Sequence, residues 1–490
     1  MISKKNFLTN TIFYGISIVF NKILAVLTLP LLTFFINQSE FGIFDFFNYL
    51  LLFFGILAVF GQDSALGRYL HECDSFDEKK QMISQSLFFQ IMITFIFISV
   101  VWLLFSDKIG IDSNNDILLI IIILQLPAFF LINFTLNLLK WSFRRNSYLI
   151  LSISNGLLSF IFLIFTVKFI SSDLVIIFSA ILISRYILAI FSIMFIYNFI
   201  VFTIKINYLK LLIPYAIPFG LICTIGAFLP IFERGLIIKY LGDYELGLFA
   251  ICFKVALFIS LPTEAFKMAW APYAVALYKQ GNFTSTFNLI LKYFIVLIIP
   301  CVFILSFIAY PIADLLVFNK FFSDKEIFIT TSIVFTLSIC IMLESVNSIT
   351  EIGIIFSKKT YLKLISYLIF LISLVIILYL MIINFGLIGL SWGIVICYLI
   401  KLITTYFISQ LIFPIAWKVK QNFIIILISI ILGLFFQHSF FYINNNLYLL
   451  SYLIFSFLFI TLSWLLIFKS EEKQKIIKEI NEIKNKFFTN

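Results

Sequence analysis

Apolar runs of about 20 residues follow one another along almost the whole chain, and this repetition limits the fold more than any motif does. A run of that length crosses the hydrocarbon core of a bilayer as a helix. A window of about 19 residues picks out about fourteen such runs, at 11–34, 43–62, 84–105, 117–139, 148–170, 174–200, 213–238, 246–268, 286–309, 327–350, 362–383, 387–410, 422–440 and 447–468. The composition agrees: 62% of the 490 residues are hydrophobic and 12% are charged, against about 25% charged in ordinary soluble domains. The reading is an all-α, polytopic membrane protein. The first run follows Lys4 and Lys5 as a signal peptide would, but it is too long for one and no small-residue cleavage site follows, so it counts as the first span.

Loop charges orient the spans. The N-terminus, alternate loops and the C-terminal tail carry 23 lysines and arginines, among them Arg68, Lys79, Lys80, Lys140, Arg144 and Arg145, and the opposite loops hold five: Lys108, Lys168, Lys239, Lys320 and Lys325. Basic residues stay in the cytoplasm, so both termini are expected there. The formal net charge of +10 is this bias, which anionic lipids balance better than a nucleic acid would. Residues 469–490 differ: Ile476, Ile480, Ile483 and Phe487 recur at helical spacing among Lys and Glu, which predicts a cytoplasmic amphipathic tail.

Several function classes are disfavoured. Only two histidines exist, His71 and His438, far apart in the sequence, so neither a metal site nor histidine-based catalysis is expected. The six cysteines form no C-x-x-C pair and read as small buried apolar residues. No glycine-rich nucleotide loop occurs. No cofactor is expected.

The chain repeats itself. Glu40-Phe41-Gly42-Ile43-Phe44 matches Glu245-Leu246-Gly247-Leu248-Phe249 at a shift of 205 residues, with Lys5 over Lys210 and Gly15 over Gly220. That shift covers six spans, an even number, so both halves point the same way, as in transporters built from parallel repeats. Two pseudo-symmetric six-helix lobes are predicted, 1–204 and 205–410, with residues 411–468 as two appended helices and 469–490 as the tail. Gly42 and Gly247 are expected to permit a tight entry into the second span of each lobe. Pro30 in the first span and Pro214, Pro218 and Pro230 in the seventh each remove a backbone hydrogen bond and permit bending.

Charges inside the spans carry the chemistry. Lys22, Arg185, Arg234, Lys254, Lys292 and Lys401 fall within apolar runs, and Arg68 lies just beyond one. A charge at mid-bilayer costs about 2.5–3.5 kcal/mol on insertion scales, so it faces a wet cavity or a partner. Lys292 and Lys401 are expected to snorkel to the surface, whereas Lys22, Arg68, Arg234 and Lys254 sit in the opening helix pair of each lobe and are the candidate substrate-binding cations. Asp63, Glu233, Glu264 and Glu344 are candidate coupling carboxylates or ion-pair partners of those cations. Polar stripes in the first span (Asn10, Tyr14, Ser17, Asn21, Thr28), the fifth (Ser152, Asn155, Ser159, Thr166) and the tenth (Glu344, Asn347, Ser348, Glu351) fit either a wet interior or adhesion between helices. A cavity with several cations suits an anion, whether phosphate, diphosphate or an acidic sugar.

The segments "NKILAVLTLPLLTFFINQSEFGIFDFFNYL", "GQDSALGRYLHE", "FERGLIIKYLGDYELGLFA", "FKMAWAPYAVALYKQG", "GIIFSKKTYLKLI" and "NFGLIGLSWG" resemble, in order, the polysaccharide (O-antigen type) flippases of the multidrug/oligosaccharidyl-lipid/polysaccharide exporter superfamily. The resemblance implies fourteen helices in two lobes around a cationic cavity. It also implies transfer of undecaprenyl-diphosphate-linked oligosaccharide across the bacterial inner membrane, with Lys22, Arg68, Arg234 and Lys254 facing the diphosphate-sugar. Glu233-Arg234 stands where the family often has Asp-Arg. Partners would be the lipid-linked substrate, membrane lipids and polysaccharide polymerase or assembly proteins. The competing readings are a lipid II flippase, a multidrug exporter or a major facilitator, and, as an enzyme, a membrane polysaccharide polymerase or sugar transferase; the last lacks the sizeable outer loop such enzymes need. The sugar and the energy source, whether membrane potential, Na⁺ or H⁺, are left open.

Overall fold

The computed structural model describes residues 4–70, 72–73, 75–105, 114–201, 207–278, 283–317, 324–357 and 359–417. The spans expected at 422–440 and 447–468 and the amphipathic tail lie outside the described residues. Among those described, every regular element is helical: α1 (Lys4–Phe35), α2 (Gln38–Val59), α3 (Gln62–Tyr69), α4 (Phe76–Phe105), α5 (Asn114–Trp141), α6 (Arg145–Phe169), α7 (Leu174–Ile196), α8 (Leu209–Tyr240), α9 (Asp243–Ala256), α10 (Ser260–Tyr278), α11 (Thr284–Phe307), α12 (Ala309–Leu316), α13 (Asp324–Thr350), α14 (Ile352–Phe356) and α15 (Lys363–Ile412).

Among the described residues, eleven helical stretches are long and apolar enough to cross a membrane. The last of them, α15, is two spans in one: at Gly386 the backbone leaves the helical region (φ 60°, ψ −144°), a conformation that a side chain would resist. With that break, the first twelve expected spans are present, and the protein is an all-α polytopic membrane protein. Helix α8 runs through Pro214, Pro218 and Pro230 without interruption, and α1 through Pro30. The stretch after the second span is helical too: Phe60 and Gly61 turn the chain with positive φ (42° and 74°), and α3 follows.

The chain divides into two compact units. The first comprises 1–251, 315–321 and 361–390. Within it α5 packs on α7, α1 on α6, α6 on α7, and α2 on α5 and α8. The polar stripes of the first and fifth spans meet here. Asn21 Nδ2 donates to Ser152 Oγ at 3.0 Å and to the Ser152 carbonyl at 3.3 Å, and Ser159 and Ser184 hydroxyls lie 3.4 Å apart, so these residues join α1, α6 and α7 to one another. The second unit comprises 252–314, 322–360 and 391–490, with α13 against α10 and α11 among its described helices.

Each residue of the repeated motif has its own task. Asn37 and Glu40 form a reciprocal cap at the start of α2: Asn37 Oδ1 accepts from Glu40 N at 2.8 Å, and Glu40 Oε2 accepts from Asn37 N at 2.9 Å. Two amide groups that a helix start leaves without partners are thereby satisfied. Replacing Asn37 by Ala is expected to cost about 1 kcal/mol, read as a lower thermal midpoint in detergent. The glycines serve contact rather than entry. A Cβ built on Gly42 would sit 2.6 Å from Gly247 N, and one on Gly247 would sit 2.0 Å from the Gln38 carbonyl oxygen. The two motif copies therefore face each other, backbone on backbone, and Gln38 Nε2 donates to the Tyr244 carbonyl at 3.0 Å across the same contact. A second close approach lies at the other end of α2, where Gly61 meets Ala216 and Gly220 of α8.

Candidate functional site

Between these two glycine contacts lies a buried cluster of charge. Phe44-Asp45-Phe46 places one carboxylate in an otherwise apolar turn of α2. Opposite it, near the C-terminal end of α8, Arg234 has no exposed surface. Its Nε and Nη2 both donate to Asp45 Oδ2, at 2.9 and 2.7 Å, and its Nη1 donates to Glu233 Oε1 at 2.6 Å and to the Pro230 carbonyl at 3.1 Å. The Tyr49 ring lies 3.9 Å from the guanidinium carbon and the Phe249 ring 5.5 Å away.

The planar fork of arginine suits this arrangement, because five donors can serve two carboxylates and a carbonyl while the faces stack on rings. Two acids and one guanidinium occur together, so the cation is fully neutralised in this conformation. Burial makes that compensation necessary: an ion taken out of water costs several kcal/mol unless a well-placed partner meets it. Of the expected substrate-binding and coupling residues, the structure brings Arg234 and Glu233 together. Asp45, which accepts from two nitrogens of Arg234, was not among the expected residues, although a lone acid inside an apolar run was a visible signal.

The remaining expected residues are dispersed. In the first unit, Lys22 is half-buried on α1, and Arg68 is exposed at the end of α3, its guanidinium carbon 4.9 Å from the Tyr215 ring and 5.6 Å from the Tyr69 ring. Asp63 on α3 accepts from Asn137 Nδ2 at 3.4 Å. In the second unit, Lys254 and Glu264 are half-buried on α9 and α10. Glu344 on α13 binds Lys401 Nζ at 2.8 Å. Lys401 is therefore not a snorkelling residue: its side chain is buried and held by a carboxylate from a neighbouring helix. Lys292 is buried as well, which removes the same reading for it. Arg185, in the first unit, donates to Gln125 Oε1 at 2.6 Å, a neutral partner inside the apolar run of α5. Among the described residues no group of three or more His, Cys, Asp or Glu could hold a metal ion.

The sequence pattern that defines the polysaccharide biosynthesis protein family matches residues 7–278, more than half of the chain. The chain belongs to that family. The matched region contains both copies of the motif, both glycine contacts and the Asp45–Arg234–Glu233 cluster, whereas the Glu344–Lys401 pair of this family member lies beyond it. No curated protein matches the sequence. Solved structures place the family member within a known fold. It is similar to lipid II flippase MurJ in an inward closed conformation, with 18% identity, a TM-score of 0.67, and 92% of this chain and 97% of that one covered. It is also similar to an inward-facing multidrug resistance MATE family transporter of the MOP superfamily (14% identity, TM-score 0.66, covering 80% and 94%). An outward-facing MATE family transporter of the same superfamily aligns with 16% identity and a TM-score of 0.60, covering 83% and 95%. At these identities the likeness is one of fold.

Proposed function

We propose that this protein is a flippase that carries undecaprenyl-diphosphate-linked oligosaccharide across the bacterial cytoplasmic membrane, supplying surface polysaccharide synthesis by alternating access. Family membership over residues 7–278 carries the reading; the fold shared with a lipid II flippase supports it. The charge bias of the loops supports an orientation with both termini in the cytoplasm. In that orientation the contact between the two motif copies lies on the outer side and must part for the sugar to leave. Arg234 would then exchange its carboxylates for the diphosphate. Anion and carboxylate use the same guanidinium fork, so the exchange keeps the charge paired throughout. Lys22, Arg68 and Lys254 supply further positive charge for the same headgroup. Asp63, Glu233, Glu264 and Glu344 are the carboxylates through which a membrane potential, Na⁺ or H⁺ could drive the cycle. The protein needs no covalent chemistry for this task, so it is read as a transporter rather than an enzyme. Polymerase and assembly proteins would be its partners downstream.

The test is reconstitution into liposomes loaded from one side with a prenyl-diphosphate oligosaccharide. The expected result is protein-dependent movement to the opposite leaflet, scored by loss of protection from an added glycosidase. Movement of a prenyl-diphosphate muramyl-peptide in the same vesicles, with none of the oligosaccharide, would overturn the assignment in favour of a lipid II flippase. Efflux of amphiphilic cations with neither lipid moved would indicate a multidrug exporter.

A further inference from the structure

At one end of the first unit, three elements converge on a pair of rings. Phe76, Lys80 and Ser84 share a face in the first three turns of α4, at i, i+4 and i+8. The Ser84 hydroxyl fixes the 3₁₀ turn Tyr197–Phe199 that follows α7, donating to the Phe199 carbonyl at 3.3 Å and accepting from Val201 N at 2.7 Å. Phe199 is thereby held against Phe76, ring centres 6.0 Å apart. Lys80 Nζ stands 4.8 Å from the centre of the Phe76 ring, and the Arg144 guanidinium carbon 4.5 Å from the centre of the Phe199 ring. Arg144 reaches this position from the turn between α5 and α6, where Phe143 takes a positive φ of 55°. Two cations thus bracket one aromatic pair, and among the described residues no carboxylate forms an ion pair with either. Asp77 and Glu78, the nearest acids on α4, are exposed.

An apolar track leads to this bracket. Ile183, Ile187, Ile190, Met194 and Tyr197 recur at helical spacing on α7 and its continuation, each 45–67% exposed. At 1.5 Å per residue the stripe is about 21 Å long, the reach of one extended fatty-acyl chain. Its near end, Tyr197, opens the 3₁₀ turn that carries Phe199, the ring beside Arg144.

We propose that this surface is a binding site for an anionic phospholipid, with one acyl chain along the α7 stripe and the headgroup phosphate between Lys80 and Arg144. A negative headgroup complements two cations that no carboxylate among the described residues pairs with, whereas a zwitterionic one brings a cation of its own to the bracket. The ring faces hold both cations in place while leaving their outward donors free for phosphate oxygens. The site uses α4, α7 and the α5–α6 turn, and shares no residue with the Asp45–Arg234–Glu233 cluster, which separates it from the substrate reading above.

The experiment uses the full chain in nanodiscs of phosphatidylcholine with or without phosphatidylglycerol, released into the gas phase for native mass spectrometry. Phosphatidylglycerol is expected to stay bound to the parent. Retention should fall at least tenfold in the double variant Lys80→Gln, Arg144→Gln and be unchanged in Lys79→Gln, which alters the same charge on the adjacent residue without touching the ring pair. Both variants are first required to give the parent's monodisperse elution profile; if the double variant does not, Ser84→Ala, which loosens the turn without altering charge, takes its place with the same expectation. Equal retention of phosphatidylglycerol by variant and parent overturns the proposal. So does equal retention of phosphatidylcholine and phosphatidylglycerol by the parent, which would make the surface merely apolar. Displacement of phosphatidylglycerol by a prenyl diphosphate at equimolar concentration would also overturn it, by assigning the bracket to substrate.

Discussion

Arg234→Met is expected to lower the thermal midpoint of the detergent-solubilised protein by on the order of 5–10 °C. The substitution keeps much of the apolar bulk of the side chain but leaves Asp45 and Glu233 buried without the cation that both now contact. Removing one partner from a buried charge pair costs about 3–5 kcal/mol, because the remaining charge stays buried. The same reasoning predicts its own rescue: Asp45→Asn together with Glu233→Gln in the Arg234→Met background should recover much of the loss, since amides at those positions need no counter-charge. Arg234→Lys should not restore the parent, because an ammonium cannot give two nitrogens to Asp45 and a third to Glu233. Transport should fail in Arg234→Met and stay impaired in the rescued triple variant, where the fold returns without the cation. That outcome separates the structural role of Arg234 from its proposed one toward the diphosphate. An unchanged midpoint in Arg234→Met would show that the cluster does not hold α2 against α8. The Glu344–Lys401 pair should be more forgiving, because the Glu344 side chain is 32% exposed and can turn to water when its partner is removed.

Gly247→Ala is the second large effect. A methyl group there would stand 2.0 Å from the Gln38 carbonyl oxygen, and because the obstacle is backbone no rotamer change relieves it. Helices α2 and α9 must separate at the contact between the motif copies. Overpacking of this kind costs about 1–3 kcal/mol. The separation should also be visible directly. Gln38 is buried in the contact, so a cysteine placed there in a cysteine-free background should react at least tenfold faster with a membrane-impermeant maleimide once residue 247 is Ala. Gly226→Ala is the control: it lies in α8 of the same unit, nothing stands within 4 Å of a Cβ at that position, and an alanine in a helix interior is if anything mildly favourable. Equal labelling in Gly247→Ala and Gly226→Ala would mean that the glycine contact does not seal that side.

Both predictions depend on residues whose meaning changed between sequence and structure. The repeat was visible in one dimension: Glu-x-Gly-x-Phe recurs 205 residues on. The task of each position within it was not. Glu40 works locally, through a cap three residues away, and a capping pattern can be read from spacing. Gly42 works at a distance, through Gly247, and no local rule distinguishes a glycine that eases a turn from one that admits another backbone.

The same division runs through the charges. That Arg234 would need compensation followed from its position inside an apolar run, and Glu233 beside it was an evident candidate. That Asp45 accepts from two Arg234 nitrogens depended on α2 meeting α8, which only packing decides. Lys401 shows the reverse error: a lysine near a helix end is commonly free to snorkel, yet Glu344 on a neighbouring helix holds it inside. Sequence by itself determined the number and approximate placement of the first twelve spans, because lipid solubility is a property of each run and every backbone hydrogen bond of a spanning helix closes within that run. The tertiary structure alone decided which faces meet. Among uniformly apolar helices, hydrophobicity does not choose partners, so the choice falls to close backbone approach and buried polar pairs, and these exist only once two distant segments lie side by side.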